Sequence, residues 1–331
     1  MRSTGRITPV LILIVAVLAS VVLAVRFGSV ALGTAETLSA LVGEGDVVTR
    51  RIVVDLRLPR ALLGLLVGGG LALAGATFQA LLRNPLAEPY ILGISGGAAA
   101  AAVAVLALGL VAAGSWVLPA AAFGGALVAI VLVFRVAAAT DRAMDVRVLL
   151  LAGVVVGAFF TSVIAFLLSI SDAPTVRSAV LWMMGSLSGA DWRDVAVVGA
   201  YTLPAAVALL ALARPLNLMA IGEETATYLG TDVERVKRLA FGVASLITAA
   251  GVAVAGVIGF VGLIVPHGVR ILVGSDHRLL LPLSFLAGGV FLTLADLLAR
   301  VALAPAEIPI GVVTAFVGVP LFLVLLRGSL R

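Results

Sequence analysis

The stretch RLPRALLGLLVGGGLALAGATFQALLRNPLAEPYILGISGGA, residues 57–98, decides the fold. It consists of a long apolar run, a short polar break and a second apolar run. Asn84 and Pro85 are expected to stop the first helix, and Pro89 prevents the break from continuing it, because proline lacks an N–H and restricts the residue before it. The stretch therefore predicts two apolar helices joined by a polar loop.

Glycines recur at a spacing of four in both runs, as Gly64 and Gly68 and again as Gly93 and Gly97. Small residues at this spacing let helices approach closely in a membrane. Packing and a turn are the simplest interpretation of these glycines. Gln79 differs, because an amide buried in an apolar environment needs a hydrogen-bond partner. We expect Gln79 to face another helix or a transport path.

Composition places most of the chain in lipid. Of the 331 residues, 62% are hydrophobic and 12% are charged, whereas soluble domains are roughly 45–50% apolar and about 25% charged. The absence of cysteine excludes disulfides and thiolate sites, and two histidines are too few for a multi-histidine metal site. The net charge of +5 is spread over short loops between apolar runs, so it does not indicate nucleic-acid binding.

The fold class predicted is an all-α integral membrane protein with about ten transmembrane helices, forming a single polytopic domain over residues 1–331. A span needs about 20 apolar residues. The first run exceeds a signal-peptide core of about 7–15 residues, so we expect an uncleaved first span. The predicted spans are 8–26, 60–81, 91–113, 117–137, 147–170, 192–213, 237–257, 258–274, 279–302 and 309–327.

Positive charge predicts that both termini are cytoplasmic, in a multi-pass protein of the inner or plasma membrane. An even number of spans places both ends on one side, and basic residues mark the cytoplasmic side. The basic residues that support this orientation are Arg2, Arg6, Arg83, Arg142, Arg147, Arg235, Lys237, Arg238, Arg327 and Arg331.

An inverted internal repeat is also predicted. Four residues recur at one constant offset, namely Gly70, Gly75, Pro85 and Gly93 as Gly251, Gly256, Pro266 and Gly274. The first copy lies on a span that runs inward and the second on a span that runs outward, which is an arrangement common in transporters.

Arginines outside the membrane break the charge rule. Arg57 and Arg60 close the first external segment, and Arg300 closes the ninth span on the same face. One interpretation is that these side chains reach lipid headgroups. The other is a basic docking surface for an acidic external partner. Arg300 also lies four residues after Asp296, so the two can pair on one helix face.

The loop RPLNLMAIGEETATYLGTDVERVKR, residues 214–238, is expected to contain short amphipathic helices in the cytoplasm. Glu223 and Glu224 suit a helix start, and Gly230 suits its left-handed end. Thr231 and Glu234 match a capping box for the next helix. Met219, Ile221, Tyr228 and Leu229 are predicted to be exposed. This loop is either a solvated interfacial segment or a helix that fits a groove on a cytoplasmic partner.

Four blocks together resemble the iron-chelate and cobalamin (FecCD-type) family of ABC importer permeases over about residues 50–327. They are RNPLAEP, WMMGSLSGADWR at 182–193, GFVGLIVPH and AEIPIGVVTA. The resemblance implies that Arg57, Arg60 and Arg300 receive glutamates of a binding protein and that Asn84 and Leu86 form a cytoplasmic gate. It further implies that the helix contacting the ATPase includes Gly222, Glu223, Glu224, Thr225, Ala226, Leu229 and Gly230 within the coupling segment, about 214–236.

The resemblance also implies a homodimer with two ATPase subunits on the cytoplasmic face and a periplasmic or lipid-anchored binding protein outside. This chain is expected to be no enzyme and to bind no cofactor, since the partner subunit uses the ATP. An iron–siderophore complex is the first expected substrate, with cobalamin and haem as alternatives. An ion-coupled secondary transporter is the competing function, but the predicted spans lack the ionisable residues near their centres that such a transporter needs. A channel or membrane scaffold gives no reason for structured cytoplasmic helices.

Overall fold

The computed structural model describes residues 4–140 and 145–329 as a helical bundle, with no β-strand in those ranges. Arg2, Arg142 and Arg331, which contributed to the predicted orientation, lie outside the described residues. The helices are α1 Thr4–Arg26, α2 Thr34–Leu41, α3 Val47–Arg50, α4 Leu58–Leu81, α5 Ile94–Ala107, α6 Val117–Thr140, α7 Val146–Ser169, α8 Ala173–Met183, α9 Trp192–Ala211, α10 Ala213–Ile221, α11 Glu223–Tyr228, α12 Val233–Ala255, α13 Val261–Val273, α14 His277–Val301 and α15 Ile310–Ser329.

The predicted all-α membrane fold is confirmed. Within the described residues, seven helices are long and apolar enough to cross a membrane, and three shorter apolar helices bring the set to ten. The second span starts earlier than predicted, because helical structure runs from Val47 through a π-helical stretch, Arg51–Arg57, directly into α4. Pro59 follows the π-helical stretch directly and does not interrupt the helical run.

Two of the ten helices, α5 and α13, are too short to span the membrane alone. With 14 and 13 residues, each is about 20 Å long, against a hydrocarbon core of about 30 Å. Non-helical backbone at membrane depth is tolerated only where protein surrounds it. The segments preceding the two helices meet this condition by bonding to each other. The Tyr90 hydroxyl donates to the Ile258 carbonyl (3.0 Å) and accepts from the Ile258 N–H (3.2 Å).

Helix α4 forms the centre of the bundle. Of the most apolar 18 residues in the helical run Val47–Leu81, which ends with α4, 83% are buried. The corresponding fractions are 17% for α1 and 28% for α7. Glycines make this position possible. A Cβ added at Gly68 would lie 2.3 Å from the Gly288 carbonyl oxygen in α14, and one added at Gly75 would lie 1.9 Å from the Gly262 oxygen in α13. Backbone therefore packs directly on backbone along α4.

We call the end of the bundle that carries residues 212–232 and the loop after α4 the lower end, and the end that carries residues 27–57 and 302–309 the upper end.

Two positions of the predicted repeat, Gly93 and Gly274, both have positive φ, 71° and 85°. Pro85, however, lies in a loop, whereas Pro266 lies inside α13. The inverted repeat therefore stays a prediction.

Candidate functional site

The lower end carries two short helices, α10 and α11, where amphipathic helices were predicted. Gly222 separates them with a φ of 153°, and Gly230 ends α11 with a φ of 82°. The Gly230 N–H donates to the Thr227 carbonyl and the Thr231 N–H to the Ala226 carbonyl, both at 2.9 Å. The predicted left-handed end of α11 is confirmed.

Apolar side chains of this segment face outward. Ile221, Tyr228 and Leu229 are 73%, 91% and 61% exposed. Met219 was expected beside them, but it is buried, because it shares the inward face of α10 with Leu216, three residues earlier. We call these three exposed side chains the apolar patch of the segment.

The predicted capping box at Thr231 and Glu234 is wrong. The N-cap of α12 is Asp232, whose side chain accepts a bond of 3.0 Å from the Arg235 N–H. The reason lies in the preceding turn. The Thr231 N–H is already used by the end of α11, so the next helix begins one residue later.

The other predicted coupling residues divide by exposure. Glu224, Thr225, Leu229 and Gly230 are exposed, whereas Ala226 is fully buried. Glu223, at the start of α11, is half-buried and forms ion pairs with Arg83 and Lys237. Helix α11 therefore rests on the bundle through Ala226 and Glu223 and leaves its other side free.

The two predicted gate residues lie in the loop that follows Arg83. The Asn84 side-chain oxygen accepts a bond of 2.9 Å from the Leu86 N–H, which closes a tight turn. Leu86 is 42% exposed. The ion pair between Arg83 and Glu223 places this turn beside α11 at the lower end.

Gln79 has the partners that its burial demands. Its amide nitrogen donates to the Leu263 carbonyl at 3.1 Å, and its oxygen accepts from the Arg270 guanidinium at 2.9 Å. Both partners belong to α13. The expectation that Gln79 faces another helix is confirmed, and this contact joins the end of α4 to α13.

Glu88 supplies a second link from the same loop to α13. Its carboxylate accepts a bond of 2.7 Å from the N–H of Phe260, the residue that begins α13 with a left-handed φ of 70°. Burial raises the pKa of the Glu88 carboxyl above its usual value, and the bond from Phe260 opposes part of that rise. No sequence motif pointed to this contact, which joins residues 172 apart.

The structure brings Arg57, Arg60 and Arg300 together at the upper end, but it buries them. They are 5%, 9% and 4% exposed. Arg60 pairs with Asp296 and with Glu307, each at 2.9 Å. Arg300 pairs with Asp296 at 3.2 Å, as the spacing of four predicted, and donates to the Ala24 carbonyl.

Arg57 is satisfied by backbone alone, since it donates to the carbonyls of Val25, Arg26 and Val30. The expectation of an open basic surface therefore needs correction: the partners of these arginines lie within the chain, on α1, the segment after it, α14 and the turn before α15. Of the acidic partners, only the Glu307 side chain is substantially exposed, at 35%, against 3% for Asp296. The docking role of the three arginines stays a prediction.

A cavity of about 580 Å³ lies between α6, α9 and α12. Its aromatic walls are Trp116, Phe123, Trp182 and Tyr201. Much of the remaining lining comes from residues 182–194, which include the stretch WMMGSLSGADWR. The sequence pattern marked that stretch as distinctive but gave no sign of a cavity, because the opposing wall comes from distant helices.

No group of three or more metal-ligating side chains occurs in the ranges that the structure describes. Both histidines of the chain lie near the lower end, and the His277 ring is paired with Asn217 at 2.7 Å. The described residues thus contain no cluster of side chains that would hold a metal.

Comparison with known proteins gives a consistent result. The model of the FecCD transport family matches residues 12–328. The chain is 47% identical to the cobalamin import system permease protein BtuC of Halobacterium salinarum, over 83% of this chain and 73% of the relative. It is 40% identical to the vitamin B12 import system permease protein BtuC of Salmonella paratyphi A, over 88% and 89%. A solved structure, an inward-facing conformation of a metal-chelate type ABC transporter, superposes with a TM-score of 0.86 at 32% identity, over 96% and 97% of the two chains.

Proposed function

The chain belongs to the FecCD transport family, and on that premise we propose that it forms the membrane path of an ATP-driven importer for cobalamin or a related corrinoid. It is a multi-pass permease, not the subunit that hydrolyses ATP. The observation that carries the substrate is the 47% identity to a cobalamin permease over most of the chain. The expected iron–siderophore complex rested on the breadth of that branch of the family, so it becomes the competing substrate.

The orientation follows from charge. The lower end carries Arg83, Arg235, Lys237, Arg238 and Arg278 on its loops and helix ends. Basic residues favour the cytoplasmic side, so we place the lower end in the cytoplasm and the upper end outside. This orientation supports the predicted cytoplasmic position of both termini.

The partner at the lower end is proposed to be the ATPase subunit, which binds the ATP that this chain does not. Ile221, Tyr228 and Leu229 expose an apolar patch next to the loop that carries the predicted gate residues. A short amphipathic helix with outward apolar side chains fits a groove on another protein.

Two copies of the chain are proposed to enclose the path. The cavity of about 580 Å³ within one chain has the size of a pocket for drug-sized ligands, which hold roughly 300–1,000 Å³. A corrinoid is larger than such ligands. Helix α7 presents Leu151, Val155 and Phe159 outward. This face suits a self-complementary contact with a second copy.

The partner at the upper end is proposed to be an acidic substrate-binding protein. The cluster of Arg57, Arg60 and Arg300 supplies the positive charge, and complementary charge steers and orients docking. Because the chain already satisfies these arginines, we propose that docking replaces the exposed Glu307 at Arg60, while Asp296 stays in place.

Uptake into liposomes tests the whole proposal. The chain is reconstituted with its ATPase and binding protein, and radiolabelled cyanocobalamin is offered with and without ATP. We expect uptake that needs ATP and persists when proton and sodium gradients are dissipated. A ferric siderophore at the same concentration should not compete. Uptake driven by an ion gradient without ATP would support the secondary transporter instead.

A further inference from the structure

The carboxylate of Glu223 bridges two cations on different parts of the bundle. Its Oε1 lies 3.4 Å from the guanidinium of Arg83, in the loop after α4, and its Oε2 lies 2.5 Å from the ammonium of Lys237, in α12. Glu223 is the first residue of α11. Any displacement of α11 relative to the bundle therefore strains one or both contacts.

The two contacts differ in strength. The Lys237 side chain is 6% exposed, so its charge is held in a poorly solvated position by Glu223. The Arg83 side chain is 47% exposed, so solvent screens this ion pair more than the one with Lys237. The contact with Lys237 thus anchors α11 to α12, whereas the contact with Arg83 connects α11 to the loop after α4.

Arg83 occupies a strained position. Its φ is 47°, and it is one of two non-glycine residues with positive φ in the described part of the chain, the other being Phe260. Such residues persist only where surrounding contacts hold them, and they cluster at switch regions. The loop after α4 is fixed at its start by Gln79 bound to Leu263 and at its end by Glu88 bound to Phe260. Between these fixed points, Arg83 is the residue through which α11 reaches Asn84 and Leu86.

We propose that Arg83 and Glu223 are positioning residues that transmit movement of α11 to the 84–86 turn. The inference rests on the proposed function, since α11 must be moved by an ATPase partner. Movement of α11 pulls Arg83 through Glu223 and tilts the turn between its two fixed points, so that Leu86 changes its exposure. Without the ion pair, the ATPase still binds the apolar patch and hydrolyses ATP, but the turn no longer follows.

The test compares Arg83→Gln with Arg83→Lys, which keeps the charge, and with Arg278→Gln. Arg278 is an exposed arginine at the lower end for which the described residues offer no ion pair. The complete transporter in liposomes is assayed for cobalamin imported per ATP hydrolysed. We expect Arg83→Gln to lower this ratio about tenfold, as for other coupling residues, with hydrolysis unchanged. Arg83→Lys should restore part of the ratio, and Arg278→Gln should match the wild type.

A second measurement separates coupling from folding. The chain has no cysteine, so Leu86→Cys introduces its single thiol into the turn. Its labelling rate should change on addition of ATP in the otherwise unaltered chain but not with Arg83→Gln. A normal ratio together with labelling that still responds to ATP would overturn the inference. Loss of hydrolysis along with uptake would also overturn it, because the pair would then serve assembly. Wild-type protein without ATP-dependent uptake would instead refute the proposed function, and the inference would fall with it.

Discussion

The guanidinium of Arg60 and the carboxylate of Asp296 lie 2.9 Å apart and join α4 to α14 in the interior of the bundle. The bond is bidentate, with the Arg60 Nε and Nη2 both donating to Asp296. Asp296 also faces Arg300. One carboxylate therefore compensates two buried cations, Arg60 and Arg300.

Replacing Asp296 by Asn should destabilise the protein by about 3 kcal/mol, because removing one partner of a buried ion pair leaves the other charge uncompensated. Replacing Glu307 by Gln should cost less, since its carboxylate is 35% exposed and Asp296 still compensates Arg60. Thermal unfolding in detergent checks both changes. Equal losses of stability for the two variants would contradict the difference in burial.

Close helix contacts give a second prediction. Gly75→Ala places a methyl group 1.9 Å from the Gly262 oxygen, and we expect a loss of about 3 kcal/mol, at the upper range for overpacking. Gly242→Ala is the matched control, since an added Cβ there meets no described atom within 4 Å. That change should be neutral or stabilise α12 by up to about 1 kcal/mol. A fall in melting temperature for both variants would show that the close contact is not the cause.

Gly230 provides a third prediction. At a φ of 82°, Gly230→Val is strained, because β-branched residues tolerate positive φ poorly. We expect normal membrane insertion and impaired ATP-driven uptake, as α11 would lose its end. Gly230→Asn should retain most uptake, since Asn adopts left-handed conformations more readily. Undiminished uptake by Gly230→Val at normal expression would refute a coupling role for α11.

The pKa of Glu88 gives a fourth prediction. Because burial raises that pKa in the folded protein, the folded state binds more protons than the unfolded one just above the ordinary value of about 4.3. Stability should therefore fall as the pH rises from there through the folded pKa. Glu88→Gln keeps an acceptor for Phe260 but carries no charge, so its stability should vary less with pH.

Melting temperatures across that pH range, with Glu44→Gln as a control, check the sign. Glu44 is exposed at the upper end, so this variant should follow the wild type. Parallel curves for all three proteins would mean that Glu88 does not carry the pH dependence.

The spans and the end of α11 were predictable because hydrophobic runs and Gly230 act locally. The environment of Arg60 was not, because its partners Asp296 and Glu307 are 236 and 247 residues away. Charge pattern alone placed the arginine at the outer face but did not reveal that the chain itself neutralises it. The contact between Glu88 and Phe260 was not predictable either, because the two residues are distant in sequence. The cavity lined by residues 182–194 was not predictable for the same reason.

Docking at the upper end gives the last prediction. If an acidic binding protein engages Arg60, it competes with Glu307, because the guanidinium already donates to both Asp296 and Glu307. Glu307→Gln weakens this internal competitor and should raise affinity for the binding protein about threefold, within the range of one exposed ion pair. The gain should shrink at high salt, where exposed charges are screened over about 8 Å or less.

Glu44→Gln makes the same change of charge on the same end without altering Arg60, so it separates competition from general attraction. Surface plasmon resonance at two salt concentrations measures both variants. Tighter binding by Glu307→Gln alone supports exchange at Arg60. An equal rise in affinity for both variants would mean that the loss of a negative charge, and not competition at Arg60, causes the effect. Unchanged binding by both variants would contradict a docking role for Arg60, because a partner that binds Arg60 has to displace Glu307 first. The arginines would then only stabilise the fold.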